Sequence, residues 1–229
     1  LTRNSGDFRF VLPFLTDYRV IRMDYRGRGR SDHAGDFTSY TVPQEAQDVL
    51  ALMDHLGLEK AAILGTSRGG IIAMVLAAMA HDRLLGVALN DIGPEIAEAG
   101  LDVIRDYLGR APAQKTYAEA AAFRDKAWSH FKSVPMDRWL AEVEQHYRET
   151  PDGLELRYDP KLRDAVLALR IQPMNDPWLL FEALEGVPLG LIRGENSDLL
   201  SMETVAKMKA LRPDMLFANV PDRGHCPFL

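Results

Sequence analysis

Short apolar runs without polar alternation recur along this chain, with helical stretches between them, and this pairing constrains the fold more than any other feature. Residues 61–64, 84–89, 188–192 and 216–220 are such runs, and 18–24 is a further β-rich run that ends at a turn. A strand that is apolar on both faces is buried on both faces, as in a parallel sheet covered by helices. Ala46, Val49, Leu50, Met53 and Leu56 fall on one stripe of a helix predicted over 41–56, with Thr41 as its start signal and Gly57 as its stop. Residues 71–80 are apolar nearly all round, as a buried helix is. Val205, Met208 and Leu211 mark another helix, ended by Pro213. Strands alternating with helices predict an α/β fold with a mostly parallel sheet and right-handed crossovers.

The alternation breaks between Gly93 and Gly186. Helices are predicted there over 116–131, 136–148 and 161–169, separated by Pro135, Pro151-Asp152-Gly153 and Asp159-Pro160. The expected organisation is a core of 1–92 and 187–229 with a helical cap, 93–186, inserted after the 84–89 strand. All three tryptophans, Trp128, Trp139 and Trp178, lie in the insertion. They predict a lid over an apolar pocket. A chain of 229 residues, 47% apolar and 26% charged, has the composition for such a core and not for disorder.

The segment Ala61-Ala-Ile-Leu-Gly65-Thr66-Ser67-Arg68-Gly69-Gly70, followed by an apolar helix, carries the chemistry. It is strand, Gly-x-Ser-x-Gly and helix in sequence, the context in which this motif presents a nucleophile. The turn is so tight that side chains at 65 and 69 are expected to collide across it. Ser67 is lifted above the sheet at a helix N-terminus, where partial positive charge favours a developing oxyanion. A serine hydroxyl needs a base, and the base needs an orienting acid. For this turn the order along the chain is nucleophile, acid, histidine.

His225, after the last strand, fits the base. His55 and His81 fit helix ends, His33 a polar loop, and His130 and His146 the insertion. Asp198, in Arg193-Gly-Glu-Asn-Ser-Asp198 after the 188–192 run, is the favoured acid. The gap from 198 to 225 leaves room for one helix and one strand. Asp91, at the end of the 84–89 strand, is the alternative, and Glu195 reads as a builder of its turn. Arg68 has a side chain that invites contact with a substrate carboxylate. Cys226, the one cysteine, lacks an elbow and reads as a small packing residue. It excludes an internal disulfide and a cysteine-based zinc site.

These motifs resemble the α/β-hydrolase family, closest to capped esterase-like and C–C-bond-hydrolase-like members. The resemblance covers almost the whole chain. It rests on Tyr25-Arg-Gly-Arg-Gly-Arg-Ser-Asp32, Gly65-Thr-Ser-Arg-Gly-Gly70, Asn90-Asp-Ile-Gly-Pro-Glu-Ile96, Arg193-Gly-Glu-Asn-Ser-Asp198 and Gly224-His225. It implies Ser67 as nucleophile, Asp198 as acid and His225 as base. It also implies an oxyanion hole built from the backbone N–H of Arg68 and of Leu1. Leu1 stands where the family's His-Gly loop has just ended, so a fragment lacking N-terminal strands and a final helix is expected.

Acyl transfer of this kind needs no metal and no organic cofactor, and the expected partner is a small-molecule substrate. Lys plus Arg is 27 against 33 Asp plus Glu, a net charge of −6 that argues against nucleic-acid binding. No apolar run reaches the roughly 20 residues of a membrane span, and a cytoplasmic protein is expected, with homo-oligomerisation left open. Arg26, Arg28 and Arg30 read as solvated turn residues, and Gly27-x-Gly29 lacks the rest of a dinucleotide fingerprint. Two other classes stay in view. One is a sensor that keeps the triad to bind a ligand; the other is an acyltransferase or a cofactor-free oxidative enzyme.

Overall fold

The computed structural model describes residues 1–168 and 176–227. Its strands are β1 (Ala61–Thr66), β2 (Leu84–Asn90), β3 (Tyr147–Thr150), β4 (Gly153–Leu156), β5 (Leu189–Gly194) and β6 (Leu216–Val220). The helices are α1 (Val42–His55), α2 (Arg68–Ala80), α3 (Glu98–Tyr107), α4 (Tyr117–Ala127), α5 (Met136–His146), α6 (Leu162–Ala168), α7 (Trp178–Glu182) and α8 (Met202–Leu211). By their contacts the described residues form two compact units. One holds Leu1, Thr41–Ile104 and the described residues of 170–228; the other holds Thr2–Tyr40 and the described residues of 105–169.

The first unit carries the parallel sheet, in the order β1-β2-β5-β6. All four predicted apolar runs are in it; burial is deepest in the central strands β2 and β5, whereas β6, last in the strand order, leaves Leu216 exposed. α2 buries Ile72, Ala73, Met74 and Leu76, as its uniformly apolar sequence requires. Thr41 accepts a hydrogen bond from the Gln44 N–H and caps α1 as predicted. The register pairs Thr66 with Asn90, Asn90 with Ile192, and Gly194 with Val220. The C-terminal ends of the strands therefore lie side by side, and the loops that follow them converge. In open parallel sheets that edge is where ligands bind.

The second unit is built differently from the expectation. Residues 18–24 form no strand. β-propensity states only that a segment can pair, and no described ladder takes this one. Residues 2–40 group instead with the helical segment, so the unit bounds differ from the predicted core and cap. Asn4 Nδ2 donates to the Gln145 carbonyl, Gly29 N–H to the Arg157 carbonyl, and Asp159 N–H to the Gly27 carbonyl. Arg28 is buried rather than solvated, with its guanidinium 5.6 Å from the Tyr40 ring centroid. The helix predicted to run to residue 148 stops at His146, and β3 and β4 form an antiparallel hairpin. Its turn uses Pro151-Asp152, and Gly153 has φ +128°, which favours glycine.

Trp139 is fully buried, 5.8 Å from Trp128 and 5.9 Å from Phe131 in edge-to-face contacts. It packs in the unit's own interior. Beside it stands an ionic cluster. Arg3 Nη1 is 3.0 Å from Glu142 and 3.4 Å from Asp7, and Arg124 Nη1 is 3.9 Å from Glu142. Asp7, Glu142 and His146 have ligand atoms close enough to hold a metal, but two arginines already supply the positive charge this carboxylate needs. No described helix is long and apolar enough to cross a membrane.

Candidate active site

Ser67 sits between β1 and α2 with φ +50° and ψ −120°. Few side chains other than glycine adopt this conformation, and it costs on the order of 1–3 kcal/mol. The surrounding backbone holds it there. Ser67 N–H donates to the Asn90 carbonyl on β2 (3.0 Å), and the Ser67 carbonyl accepts from Gly70 N–H (2.8 Å). Gly65 is required: a Cβ there would lie 2.5 Å from the Gly69 carbonyl oxygen. Gly69 itself faces open space, contrary to the expected collision. The second position that tolerates no side chain is Gly70, where a Cβ would run into Ile92 Cγ2.

Ser67 Oγ lies 3.0 Å from His225 Nε2. His225 Nδ1 lies 2.7 Å from Asp91 Oδ2. A carboxylate only accepts, so Nδ1 carries the proton and Nε2 presents its lone pair to the serine hydroxyl. Ser67 and His225, the residues expected as nucleophile and base, therefore lie within hydrogen-bond distance of each other. The carboxylate partner of His225 is Asp91, the alternative in the sequence reading, and among the described residues no hydrogen bond or ion pair joins the favoured Asp198 to His225.

The reason lies in the loop after β5. Asp91 is fully buried, with φ +56°. Its Oδ1 accepts from Gly194 N–H (3.0 Å) and its Oδ2 from Ser197 Oγ–H (2.8 Å), in addition to His225. The motif that suggested Asp198 thus supplies donors to Asp91. Arg193 clamps this loop: its guanidinium, 5% exposed, donates to the carbonyls of Leu200 (2.7 Å) and Glu195 (3.0 Å). The Glu195 carboxylate reaches the loop after β6, where it accepts from Asp222 N–H. Ser197, Gly194 and Arg193 were missed as parts of the site. Their only signal was membership of a loop already singled out.

Burial pushes the His225 pKa down, but the charge of Cys226 and the hydrogen bond to Asp91 outweigh it, and the ring is pushed up to about 9. Cys226 is not a remote packing residue: its Sγ is 3.2 Å from Nε2. Arg68 begins α2, which places its backbone N–H at the helix N-terminus beside the serine. Its side chain turns to α1, where Nε donates to the buried Glu45 at 2.7 Å, so the guanidinium is engaged by a protein carboxylate. Leu1 is half-buried in the same unit.

A parallel sheet, a strained serine between strand and helix, and a histidine–aspartate pair on the neighbouring loops define a class of hydrolase. All 229 residues, 1–229, match the alpha/beta hydrolase fold family, and the chain belongs to that family. It is 38% identical to a 3-hydroxybutyrate-oligomer hydrolase from Cupriavidus necator, over 99% of this chain and 80% of that protein. A 2-(acetamidomethylene)succinate hydrolase from Mesorhizobium japonicum is 27% identical over 98% of this chain and 78% of that protein. The crystal structure of an alpha/beta hydrolase from Novosphingobium aromaticivorans superposes with a TM-score of 0.91 at 37% identity, over 100% of this chain and 81% of that one. The protein is accordingly a hydrolase of this fold.

Proposed function

We propose that the protein is a serine hydrolase that cleaves a small-molecule carboxylic ester through an acyl-enzyme on Ser67. The observation that carries this reading is the chain of contacts Ser67 Oγ–His225 Nε2 (3.0 Å) and His225 Nδ1–Asp91 Oδ2 (2.7 Å). In the first step Nε2 takes the serine proton as Oγ attacks the ester carbonyl, and Asp91 stabilises the resulting imidazolium. The oxyanion is held by the Arg68 N–H at the start of α2 and by the Leu1 N–H. Collapse expels the alcohol, which receives the proton from His225. Water, activated by the same ring, then releases the acid. Each step moves a proton between named atoms and requires no metal or organic cofactor.

The relative named as a 3-hydroxybutyrate-oligomer hydrolase makes short hydroxyacid esters the first substrates to try. Reaction with a fluorophosphonate probe tests the nucleophile, and a panel of p-nitrophenyl esters and 3-hydroxybutyrate dimers tests turnover. Labelling and turnover, both abolished in Ser67→Ala, are expected. Labelling that survives in Ser67→Ala would reject the nucleophile, whereas labelling without turnover across the panel would favour a ligand sensor.

A further inference from the structure

The thiol of Cys226 is buried, 5% exposed, in the loop that carries His225. Its Sγ and Ser67 Oγ approach the same nitrogen, Nε2 of His225, at 3.2 Å and 3.0 Å. With Nδ1–H committed to Asp91, the neutral ring offers one in-plane lone pair at Nε2. Two donors thus converge on one acceptor. We propose that Cys226 is a positioning residue for the base: it shares the Nε2 edge of His225 with Ser67 and sets how often that edge is ready to take the serine proton. The inference rests on the roles given above to Ser67 and His225.

Two states follow from the geometry. In one, Sγ–H donates to Nε2. In the other, the same proton has crossed to Nε2, and a thiolate faces an imidazolium that has no lone pair left for Ser67. One proton moves between two atoms already in contact, so nothing else is consumed. The groups that face the ring are Asp91 from the turn after β2, Ser67 from the elbow and Cys226 from its own loop. Asp222 and Arg223 share that loop, and Glu195 stands on the loop after β5. Among the described residues Asp91 is the ring's ion-pair partner. The Cys226 charge is the strongest upward influence on the ring, which is pushed up to about 9. In the second state Cys226 therefore restrains the base.

Neither alanine nor serine can hold the second state, because neither ionises in the accessible pH range, although a serine keeps a hydrogen bond to Nε2. The test is an NMR titration of the His225 imidazole in the full chain, for the wild type, Cys226→Ala and Cys226→Ser, alongside the pH dependence of fluorophosphonate labelling. Both variants are expected to titrate lower by about one pH unit or more, with labelling at pH 7 faster by roughly tenfold. Midpoints within about 0.3 pH unit of the wild type in both variants would overturn the proposal. So would a wild-type midpoint in Cys226→Ser alone, which would assign the effect to hydrogen bonding instead of proton exchange. The titration needs no turnover: absence of labelling at Ser67 in every protein would fail the hydrolase reading, while the His225 midpoints would still decide the role of Cys226.

Discussion

A buried carboxylate is tolerated when donors surround it, and Asp91 has three: Gly194 N–H, Ser197 Oγ–H and His225 Nδ1–H. This arrangement fixes the imidazole tautomer. In Asp91→Asn one amide edge becomes a donor, so the ring is driven to the tautomer with its proton on Nε2, which cannot accept from Ser67. The expected loss in kcat is on the order of 10³–10⁴-fold with KM little changed, the size such a tautomer defect has in other triads. Asp198→Asn is expected to stay within about twofold of wild type, since among the described residues it removes no hydrogen bond or ion pair to the ring. Steady-state kinetics on a p-nitrophenyl ester compare the two directly, and the reverse ranking would return Asp198 to the site. The chain-order rule could not have chosen between them, because both aspartates lie between residues 67 and 225 and both follow a core strand.

At the scale of elements, β5 ends where the loop bearing His225 passes over it. A Cβ at Gly194 would strike the Gly224 carbonyl oxygen and lie 2.6 Å from that of Arg223. These are backbone atoms, so the loop must move. Gly194→Ala is expected to reduce Ser67 labelling by at least about tenfold, because a displacement near 1 Å of a catalytic group has that order of effect or more. Gly69→Ala is the contrasting variant: its Cβ meets open space on α2. Helix propensity predicts stabilisation there of up to about 1 kcal/mol. Thermal denaturation reads both, and a Gly69→Ala protein that melts well below wild type would contradict the account of the elbow. The four sheet strands and α1, α2 and α8 were legible because a short apolar run, or an apolar stripe, is a local pattern. Residues 18–24 and the β3–β4 hairpin were not. The first carries β-propensity without a partner, and the second begins where a helical pattern continues through Tyr147 and Arg148.

For the whole molecule, the ionic cluster of the second unit gives the fold a pH dependence of its own. Burial, followed by the charges of Arg124 and Arg3, lowers the His146 pKa to about 4, against the opposing pull of Asp7 and Glu142. A histidine lowered in the folded state binds fewer protons than in the unfolded chain between about pH 6.5 and pH 4, so stability falls as pH falls through that window. The loss is on the order of 2–3 kcal/mol by the bottom of it. Melting temperatures measured from pH 7 to pH 4 should decline more steeply in the wild type than in His146→Gln, and parallel curves would remove His146 as the cause.

The sequence by itself determined the parallel strands, the serine elbow and the histidine of the last loop, because each is written in contiguous residues: apolar runs, glycines at a turn, a loop after a strand. Only the tertiary structure decided which carboxylate meets that histidine and which thiol shares its Nε2 edge. Pairing of Asn90 with Ile192 sets the ends of β2 and β5 side by side, and there Asp91 meets Gly194 and Ser197. That choice depends on the register between strands about a hundred residues apart, and no local pattern encodes it.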